Sequence, residues 1–299
     1  MLKLKLMLVF VVLLAFGCFT GAQQRAGMTH EDMIGLLSGA DPEKPNRGTP
    51  GYSRKNGKPI VFVIGDSTVK NGRGDGSNQQ WGWGSFFWQY FDTTRITVEN
   101  HALGGRSSRT FMQEGLWEKV INAVKPGDFV LIQFGHNDAG PLNTGRARAV
   151  LRGNGNNDTT VVMEADGREM KIQSFGWYMR KYAADVKAKN ATPILLSHIP
   201  RNQWLNADSL NVRRNADSFG AWTRDAAAMP KVPYIDLNAL IADKYDRLGK
   251  AVVPRFFHGD HTHTSKEGAI LNALTLTEGI RELKNCKLKK YLLKKSDRK

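Results

Sequence analysis

The sequence predicts an α/β fold, in which a five-stranded parallel sheet lies between two layers of helices as a three-layer αβα sandwich. Five short apolar runs are typical of strands that are buried on both faces. Segments with helical apolar spacing separate these runs, which is the alternation expected of βαβ units. Right-handed crossovers would gather the carboxyl ends of the strands along one edge of the sheet, where ligands bind in such folds.

The elements follow one another along the chain in a regular order. The predicted strands are Pro59–Ile64, Arg95–Glu99, Asp128–Gln133, Thr192–Ser197 and Val232–Asp236. The predicted helices are Trp83–Phe91, Leu116–Val124, Phe175–Lys189 and Asn215–Met229. Because Ser67, Asn137 and His198 each follow a strand end, we expect them at the same edge of the sheet.

One segment interrupts this order. From Gly140 to Gln173 the chain shows no helical period, but two short runs, Thr159–Met163 and Arg168–Ile172, flank an Ala-Asp-Gly turn at 165–167. This pattern predicts a β-hairpin. A long insertion directly after a strand end is typical of a loop that shapes a substrate site.

The N-terminus has the features of a secretory signal peptide over residues 1–22. Two lysines precede an unbroken apolar run, Leu6–Phe16, which is too short to span a bilayer comfortably, and a stretch of small residues completes the segment. We therefore expect a secreted or periplasmic protein. A minor alternative is a lipid anchor at Cys18, because the preceding residues loosely resemble a lipobox. If Cys18 is removed, Cys286 is the only cysteine left and no intramolecular disulfide can form.

The rest of the chain divides into an N-terminal extension at residues 23–57, one large domain at 58–285 and a basic C-terminal tail at 286–299. The formal net charge is +15, but nine of the 43 Lys and Arg residues lie in residues 281–299. The domain itself is only mildly basic, which argues against a nucleic-acid partner. The tail is compatible with binding to an anionic surface or with a simple solvated terminus. No second apolar span follows, so we expect no transmembrane span.

Three residues in two short segments suggest serine hydrolase chemistry. Ser67 follows the first predicted strand within Gly-Asp-Ser-Thr, and Asp260 lies three positions before His263. A serine hydroxyl needs an imidazole to take its proton and a carboxylate to hold that imidazole in the right tautomer. One loop near the C-terminus could supply both partners.

Four separated sequence blocks carry a family resemblance. They are Gly65–Thr68 with Lys70–Gly72, Asn100–Ser107, Gly135–Asp138 and Asp260–His263. In order and spacing they resemble the SGNH hydrolases, and within that superfamily most closely the rhamnogalacturonan acetylesterases. Four blocks in the right order are far more specific than a Gly-Asp-Ser triplet alone. The resemblance implies a flavodoxin-like SGNH hydrolase fold for the domain.

The resemblance also implies a role for each site residue. Ser67, Asp260 and His263 would form the catalytic triad. The oxyanion hole would consist of the Ser67 and Gly105 amides and the side-chain amide of Asn137. Glycine suits its position because a side chain there would block the approach of substrate. Taken singly, the serine is more typical of a turn or helix cap, and the glycine and the asparagine are compatible with simple turns.

Other residues near these blocks are weaker candidates. Arg106, His136 and His258 could contact substrate, although surface or structural roles are common for such side chains. The His-rich segment 258–263 also has the density of a zinc patch, but a metal site gives no reason for the serine, glycine and asparagine blocks. We therefore expect no metal.

Together these features predict a secreted serine esterase that removes acetyl groups from a plant cell-wall polysaccharide, through an acetyl-serine intermediate and without a cofactor. The resemblance favours rhamnogalacturonan, an anionic pectin whose carboxylates could pair with basic side chains near the motif loops, Arg201 among them. Alternatives are an esterase for acetylated xylan or another glycan, and a short-chain lipid or general esterase of the same fold. A glycan-binding protein with degenerate catalysis is disfavoured because no triad member is missing.

Overall fold

A computed structural model describes residues 49–55, 57–215 and 218–294 of the chain. Its strands are β1 (Ile60–Gly65), β2 (Thr97–Asn100), β3 (Phe129–Gln133), β4 (Asp158–Val162), β5 (Glu169–Gln173), β6 (Thr192–Leu196) and β7 (Tyr234–Ile235). Five of them form one parallel sheet in the order β2-β1-β3-β6-β7. The predicted five-stranded sheet is confirmed. The predicted signal segment and most of the predicted extension lie outside the described residues.

Helices cover both faces of the sheet. They are α1 (Ser108–Gln113), α2 (Leu116–Ala123), α3 (Phe175–Ala188), α4 (Phe219–Ala228), α5 (Leu237–Leu248) and α6 (Lys266–Glu282). Alternate strand side chains point to opposite sides of a sheet. Val61 and Leu131 therefore pack with α5 and α6 on one face, whereas Phe62 and Ile132 pack with α1 to α4 on the other. This confirms the predicted three-layer αβα sandwich.

Three of the four predicted helices are confirmed as α2, α3 and α4, although α4 begins at Phe219, four residues later than expected. The sequence analysis makes no prediction of α5 or α6. Twelve of the 17 residues of α6 are buried, so its sequence lacks the polar face that marks an amphipathic helix. In the described part of the chain, no helix is both long and apolar enough to cross a bilayer.

The segment Trp83–Phe91 is not the α-helix that its apolar spacing predicts. It forms two short 3₁₀ helices, Trp83–Ser85 and Phe87–Tyr90. The N–H groups at its start donate to the carbonyls of Thr68 and Val69 at 3.1 and 3.0 Å, which holds the segment against the turn after β1. The spacing therefore marks aromatic residues that are buried beneath this turn, and the backbone follows the turn instead of a continuous helix.

The predicted hairpin in the insertion is confirmed, because β4 and β5 pair antiparallel. The insertion is tied to the start of α3 by the Phe175 N–H, which donates to the Leu151 carbonyl at 2.9 Å. The insertion leaves the sheet at the carboxyl end of β3 and returns at the start of α3. It therefore borders the sheet edge at which ligands bind in such folds.

Two flanking segments pack against the predicted domain of residues 58–285. Residues 49–55 are tied to it by backbone N–H groups that donate to the buried Glu99 carboxylate. At the other end, residues 287–293 pack through the fully buried side chain of Leu288. Parts of the extension and of the basic tail thus belong to the packed structure.

Candidate active site

Ser67 lies in a tight turn directly after β1. The Asp66 carboxylate accepts hydrogen bonds from the Thr68 N–H at 2.9 Å and from the Thr68 hydroxyl at 2.8 Å, which closes the turn locally. The same hydroxyl accepts from Gln133 Nε2 at 2.8 Å, at the end of β3. Asp66 and Thr68 are fully buried, whereas Ser67 between them is partly exposed. The turn therefore presents the serine at the sheet edge on a fixed base.

His263 contacts Ser67 and Asp260 through its two ring nitrogens. Ser67 Oγ lies 2.9 Å from His263 Nε2, and His263 Nδ1 lies 2.6 Å from Asp260 Oδ2. A neutral imidazole with its proton on Nδ1 donates to the carboxylate and leaves Nε2 free to accept from the serine hydroxyl. The structure thus brings the three predicted triad residues together in one hydrogen-bonded relay.

The Asp260 carboxylate is kept ionised by its hydrogen bonds. Besides the His263 ring, it accepts from the N–H groups of Thr262 and His263 at 2.6 and 2.7 Å. Partial burial raises the pKa of Asp260, but the hydrogen bonds from the imidazole and these two amides outweigh burial and lower the pKa to about 2. An ionised carboxylate fixes the imidazole tautomer and stabilises the imidazolium that forms during proton transfer.

The loop that carries His263 is anchored at both ends. The Thr264 hydroxyl donates to the Trp81 carbonyl at 2.7 Å, and the Trp81 N–H donates to the Thr264 carbonyl at 2.8 Å. The His258 N–H donates to the His263 carbonyl at 3.1 Å, and the His258 carbonyl accepts from Gln80 Nε2 at 2.7 Å. His258 therefore holds the loop through its backbone. Contact of its imidazole with substrate stays a prediction.

A second loop brings the Gly104–Gly105 peptide beside Ser67. The loop continues the pairing of β2 with β1, since the Leu103 N–H donates to the Gly65 carbonyl at 3.1 Å. A Cβ built on Gly104 would lie 3.5 Å from the Ser67 Cβ. Gly105 has a φ of 81°, a left-handed conformation that favours glycine. This peptide is therefore a neighbour of the nucleophile, as the oxyanion-hole prediction requires.

Arg106 and Asn137 connect this loop to the end of β3. Asn137 is 7% exposed. Its Nδ2 donates one hydrogen to the Arg106 carbonyl at 2.9 Å, which leaves the second Nδ2 hydrogen for a ligand. Arg106 Nη1 donates to the Gly104 carbonyl at 3.0 Å, and its Nε donates to Glu114 at 2.9 Å. The Gly104 carbonyl shares a peptide with the Gly105 N–H, so Arg106 orients both predicted donors. Substrate contact by Arg106 stays a prediction, although two of its nitrogens are already engaged.

Two further residues hold the loops of the predicted oxyanion hole, and the sequence analysis missed both. Asp138 Oδ1 accepts from the N–H and the hydroxyl of Ser108 at 2.9 and 2.5 Å, which ties the start of α1 to the end of β3. Arg148 Nη1 donates to the Gly105 carbonyl at 3.1 Å. Asp138 is the last residue of the block Gly135–Asp138, and its position in this block could have identified it as a site residue. Arg148 lies in the aperiodic insertion, where no local pattern marks it.

The Asp138 carboxyl titrates in an unusual range. It is fully buried, and burial raises its pKa to about 7 even though the hydrogen bonds from Ser108 lower it. Its second oxygen, Oδ2, has no hydrogen-bond partner among the described residues. The carboxyl therefore gains and loses its proton near neutral pH while it holds the two loops together.

His136 lies next to Asn137 on the same loop. Its ring is edge-on to that of His198, with centroids 4.6 Å apart, and neither of its nitrogens has a hydrogen-bond partner among the described residues. Burial lowers the pKa of His136 well below its ordinary value, and the positive charge of the nearby Arg201 lowers it further. A neutral imidazole with two open nitrogens suits a sugar hydroxyl, and the predicted substrate contact of His136 stays a prediction.

The His-rich segment 258–263 does not have the geometry of a metal site. Within the described residues, no group of three or more His, Cys, Asp and Glu side chains is arranged to hold a metal ion. Both ring nitrogens of His263 are engaged by Ser67 and Asp260. His261 is exposed, and its carbonyl accepts from the Asn202 N–H at 2.8 Å, so its backbone braces the loop.

The arrangement as a whole can activate a serine for attack on an ester carbonyl. A base lies within hydrogen-bond distance of Ser67 Oγ, and a carboxylate orients that base. The Gly104–Gly105 peptide lies next to Ser67, and the Asn137 amide is bonded to the same loop. The nucleophile follows the first strand of a parallel sheet, at the carboxyl edge. The fold and the site define a serine hydrolase.

The comparison with known families identifies the group within this class. Residues 63–269 match the GDSL-like lipase/acylhydrolase family. The chain belongs to this family, whose members are the SGNH hydrolases, and it is a carboxylic ester hydrolase. The predicted resemblance is confirmed.

Several curated relatives are named for one activity. The chain is 30% identical over 209 residues to a rhamnogalacturonan acetylesterase of Emericella nidulans, which covers 70% of this chain and 79% of the relative. It is 28% identical over 241 residues to the rhamnogalacturonan acetylesterase RhgT of Bacillus subtilis, which covers 76% and 91% of the two chains. At this level of identity the relatives establish the family and leave the polymer to be tested.

Solved structures share the fold. The protein YxiM of Bacillus subtilis superposes with a TM-score of 0.60 at 26% identity, and the match covers 75% of this chain and 56% of that one. An acetylxylan esterase from Geobacillus stearothermophilus gives a TM-score of 0.51 at 19% identity, with 74% and 93% covered. The second likeness concerns the fold alone.

Proposed function

We propose that this esterase removes acetyl groups from a plant cell-wall polysaccharide, with rhamnogalacturonan as the favoured substrate, and that it works as a secreted or periplasmic enzyme. The observation that carries the proposal is the relay from Ser67 through His263 to Asp260, with the Gly104–Gly105 peptide beside Ser67 and Asn137 bonded to the same loop. The names of the relatives support an acetylated pectic substrate.

In the proposed first half-reaction, His263 Nε2 takes the hydroxyl proton of Ser67 while Oγ attacks the acetyl carbonyl carbon. Negative charge moves to the carbonyl oxygen, where the Ser67 and Gly105 amides and the Asn137 side chain donate hydrogen bonds. The imidazolium then protonates the sugar oxygen as its bond to the acetyl carbon breaks. The free sugar hydroxyl leaves and acetyl-Ser67 remains.

In the second half-reaction, the same imidazole takes a proton from a water molecule, which attacks the carbonyl carbon of acetyl-Ser67. The oxyanion forms again at the same donors. The proton returns from His263 to Ser67 Oγ as the ester bond breaks, and acetate is released. Asp260 stays ionised throughout, because its pKa is lowered to about 2 by hydrogen bonds that outweigh its burial.

The surroundings of the site favour a polar substrate over a long acyl chain. Nine of the 14 described residues that line the cavity beside His136 have polar or basic side chains. A fatty acyl chain needs a contiguous apolar lining to be removed from water. A glycan instead presents hydroxyl groups that such a lining can bind through hydrogen bonds.

The substrate is tested with a panel of esters. Acetate release from acetylated rhamnogalacturonan and acetylated xylan, and fatty-acid release from a long-chain ester, are measured for the mature protein and its Ser67→Ala variant. We expect selective, serine-dependent release from the pectic polymer. Release from xylan alone would retain the mechanism and change the substrate. Preferential cleavage of the long-chain ester would contradict the proposal.

Export is tested by expressing the full chain and fractionating the cells. We expect a mature protein that begins after residue 22 in the medium or the periplasm. A lipid on Cys18 would support the anchored alternative. Full-length protein confined to the cytoplasm would contradict export.

A further inference from the structure

A cavity of about 1110 Å³ opens at the carboxyl ends of β3 and β6. Gly135 and His136 line it, directly before Asn137 in the chain. On its other side, the hydrogen bond from the Asn202 N–H to the His261 carbonyl ties the loop after β6 to the loop that carries the triad histidine. The cavity therefore adjoins the loop that carries Asn137, and the loop after β6 links its lining residue Arg201 to the loop of His263.

The lining of the cavity is strongly basic. It includes Arg152, Arg201, Arg213 and Arg214, and none of the described lining residues is Asp or Glu; the adjoining Asp217 lies outside the described residues. Arg214 is neutralised, because it forms ion pairs with two carboxylates of α5. The guanidinium of Arg152 lies over an aromatic ring, 5.8 Å from its centroid. Arg201 and Arg213 have neither an ion pair nor a cation–π contact among the described residues.

Arg201 and Arg213 have side-chain donors that are available to a ligand. Arg201 Nε is buried and has no hydrogen-bond partner among the described residues. Arg213 is exposed at the rim, and its guanidinium forms no ion pair within the described part of the chain. A buried donor without an acceptor is unfavourable unless water or a ligand accepts from it. The cavity therefore offers two cations to an anionic group.

The remaining polar lining is uncharged. Gly135 lets the His198 ring approach the backbone closely, because a Cβ at that position would lie 2.4 Å from His198 Nδ1. Burial lowers the pKa of His198 to about 3, and the charge of Arg201 acts in the same direction. His198 and His136 are therefore neutral imidazoles at neutral pH, and the fixed charge of the cavity comes from its arginines.

We infer that this cavity binds the carboxylate of an acidic sugar in the polymer, with Arg201 and Arg213 as its cationic partners. A guanidinium matches a carboxylate with two parallel hydrogen bonds, which gives direction as well as charge. The inference rests on the proposed function, because it takes the bound sugar to be a neighbour of the acetylated one. These two side chains would give the enzyme its preference for a glycan that contains uronate over a neutral glycan.

The test is a direct binding titration with the Ser67→Ala protein, which cannot turn over an ester. The probes are a short galacturonate oligomer without acetyl groups and a galactose oligomer of the same length. We expect the galacturonate oligomer alone to bind, and we expect Arg201→Gln and Arg213→Gln each to weaken binding by about tenfold or more. Added salt should weaken it as well. Arg247→Gln is the matched control, because this exposed arginine of α5 does not line the cavity.

Several outcomes would overturn the inference. These are equal binding of the two oligomers, galacturonate binding that both substitutions leave unchanged, and inorganic phosphate binding as tight as that of the galacturonate oligomer, which would indicate a general anion site. Because Arg213 is exposed, its variant tests the cavity even if Arg201→Gln impairs folding. Failure of the proposed function is a separate result, namely that the wild-type protein releases no acetate from any acetylated glycan.

Discussion

The two sides of Ser67 are built differently. On the side that transfers protons, the side chains of His263 and Asp260 are 27% and 39% exposed and share one short loop. On the side of the proposed oxyanion hole, Gly105 and Asn137 lie on loops that are tied to each other and to α1. The contrast teaches that proton transfer needs one well-oriented imidazole, whereas an oxyanion needs donors that are fixed before the charge forms.

This comparison predicts where substitutions act. Changes on the proton-transfer side should remove catalysis and leave the fold intact, because the loop that carries Asp260 and His263 lies at the surface. Changes on the oxyanion side should affect catalysis and stability together, because the side chains there are buried and link several elements. The following predictions run from the largest expected effect to the smallest.

Replacing His263 with Ala should lower kcat by on the order of 10⁴-fold or more, because Ser67 then has no base. Steady-state acetate release measures the effect, and thermal unfolding should show an unchanged fold. His261→Ala is the matched control, since this neighbouring histidine is exposed and braces the loop through its backbone carbonyl. Equal losses in the two variants would contradict the assignment of the base.

Replacing Asp138 with Asn should remove a pH dependence of stability. Burial raises the folded pKa of Asp138 to about 7, so the stability that comes from its protonated form is fully present below the unfolded pKa, near 4, and is lost as the pH rises through about 7. The shift corresponds to on the order of 4 kcal/mol in the free energy of unfolding. Urea unfolding between about pH 4 and pH 8 measures it. A variant with the same pH slope as the wild type would show that another group is responsible.

Replacing Asn137 with Ala should lower kcat by about 10²- to 10³-fold with little change in KM, because its amide acts on charge that develops in the transition state. Steady-state kinetics on one acetylated substrate separate the two parameters. A raised KM with an unchanged kcat would instead indicate that Asn137 binds the ground state of the substrate.

Replacing Arg106 with Gln should lower kcat by about tenfold, because the Gly104–Gly105 peptide loses a charged hydrogen bond to its carbonyl. KM should change little. Glu114→Gln is the control, since it removes the negative charge of the other partner of Arg106 and keeps the contact with Gly104. If KM for the glycan rises while turnover of a small acetate ester is unchanged, Arg106 binds substrate as the sequence analysis predicts.

Much of the fold can be predicted from the sequence. The buried strands are short apolar runs, and α2, α3 and α4 keep a helical period between them. The pattern fails where burial is more complete. Most of α6 is buried, so no polar face marks it as a helix. It also fails at Trp83–Phe91, where backbone hydrogen bonds to the turn after β1 decide the conformation.

The site is less predictable than the fold. Ser67 and His263 are 196 positions apart, and the sequence blocks indicate only their order along the chain. The distance of 2.9 Å between Ser67 Oγ and His263 Nε2 is determined by the folded chain. The roles of Arg106 and Arg148 depend on carbonyl groups of the loop that faces Ser67. Such contacts between a side chain and a distant backbone carbonyl leave no periodic or compositional mark, because any residue type supplies the carbonyl.

The most direct test of the account is covalent labelling of the nucleophile in the presence and absence of substrate. A fluorophosphonate forms a stable adduct with an activated serine, and peptide mapping by mass spectrometry locates it. The account predicts an adduct on Ser67 that acetylated rhamnogalacturonan slows and that His263→Ala abolishes. An unlabelled Ser67, or an adduct on another residue that the same polymer protects, would contradict the central claim.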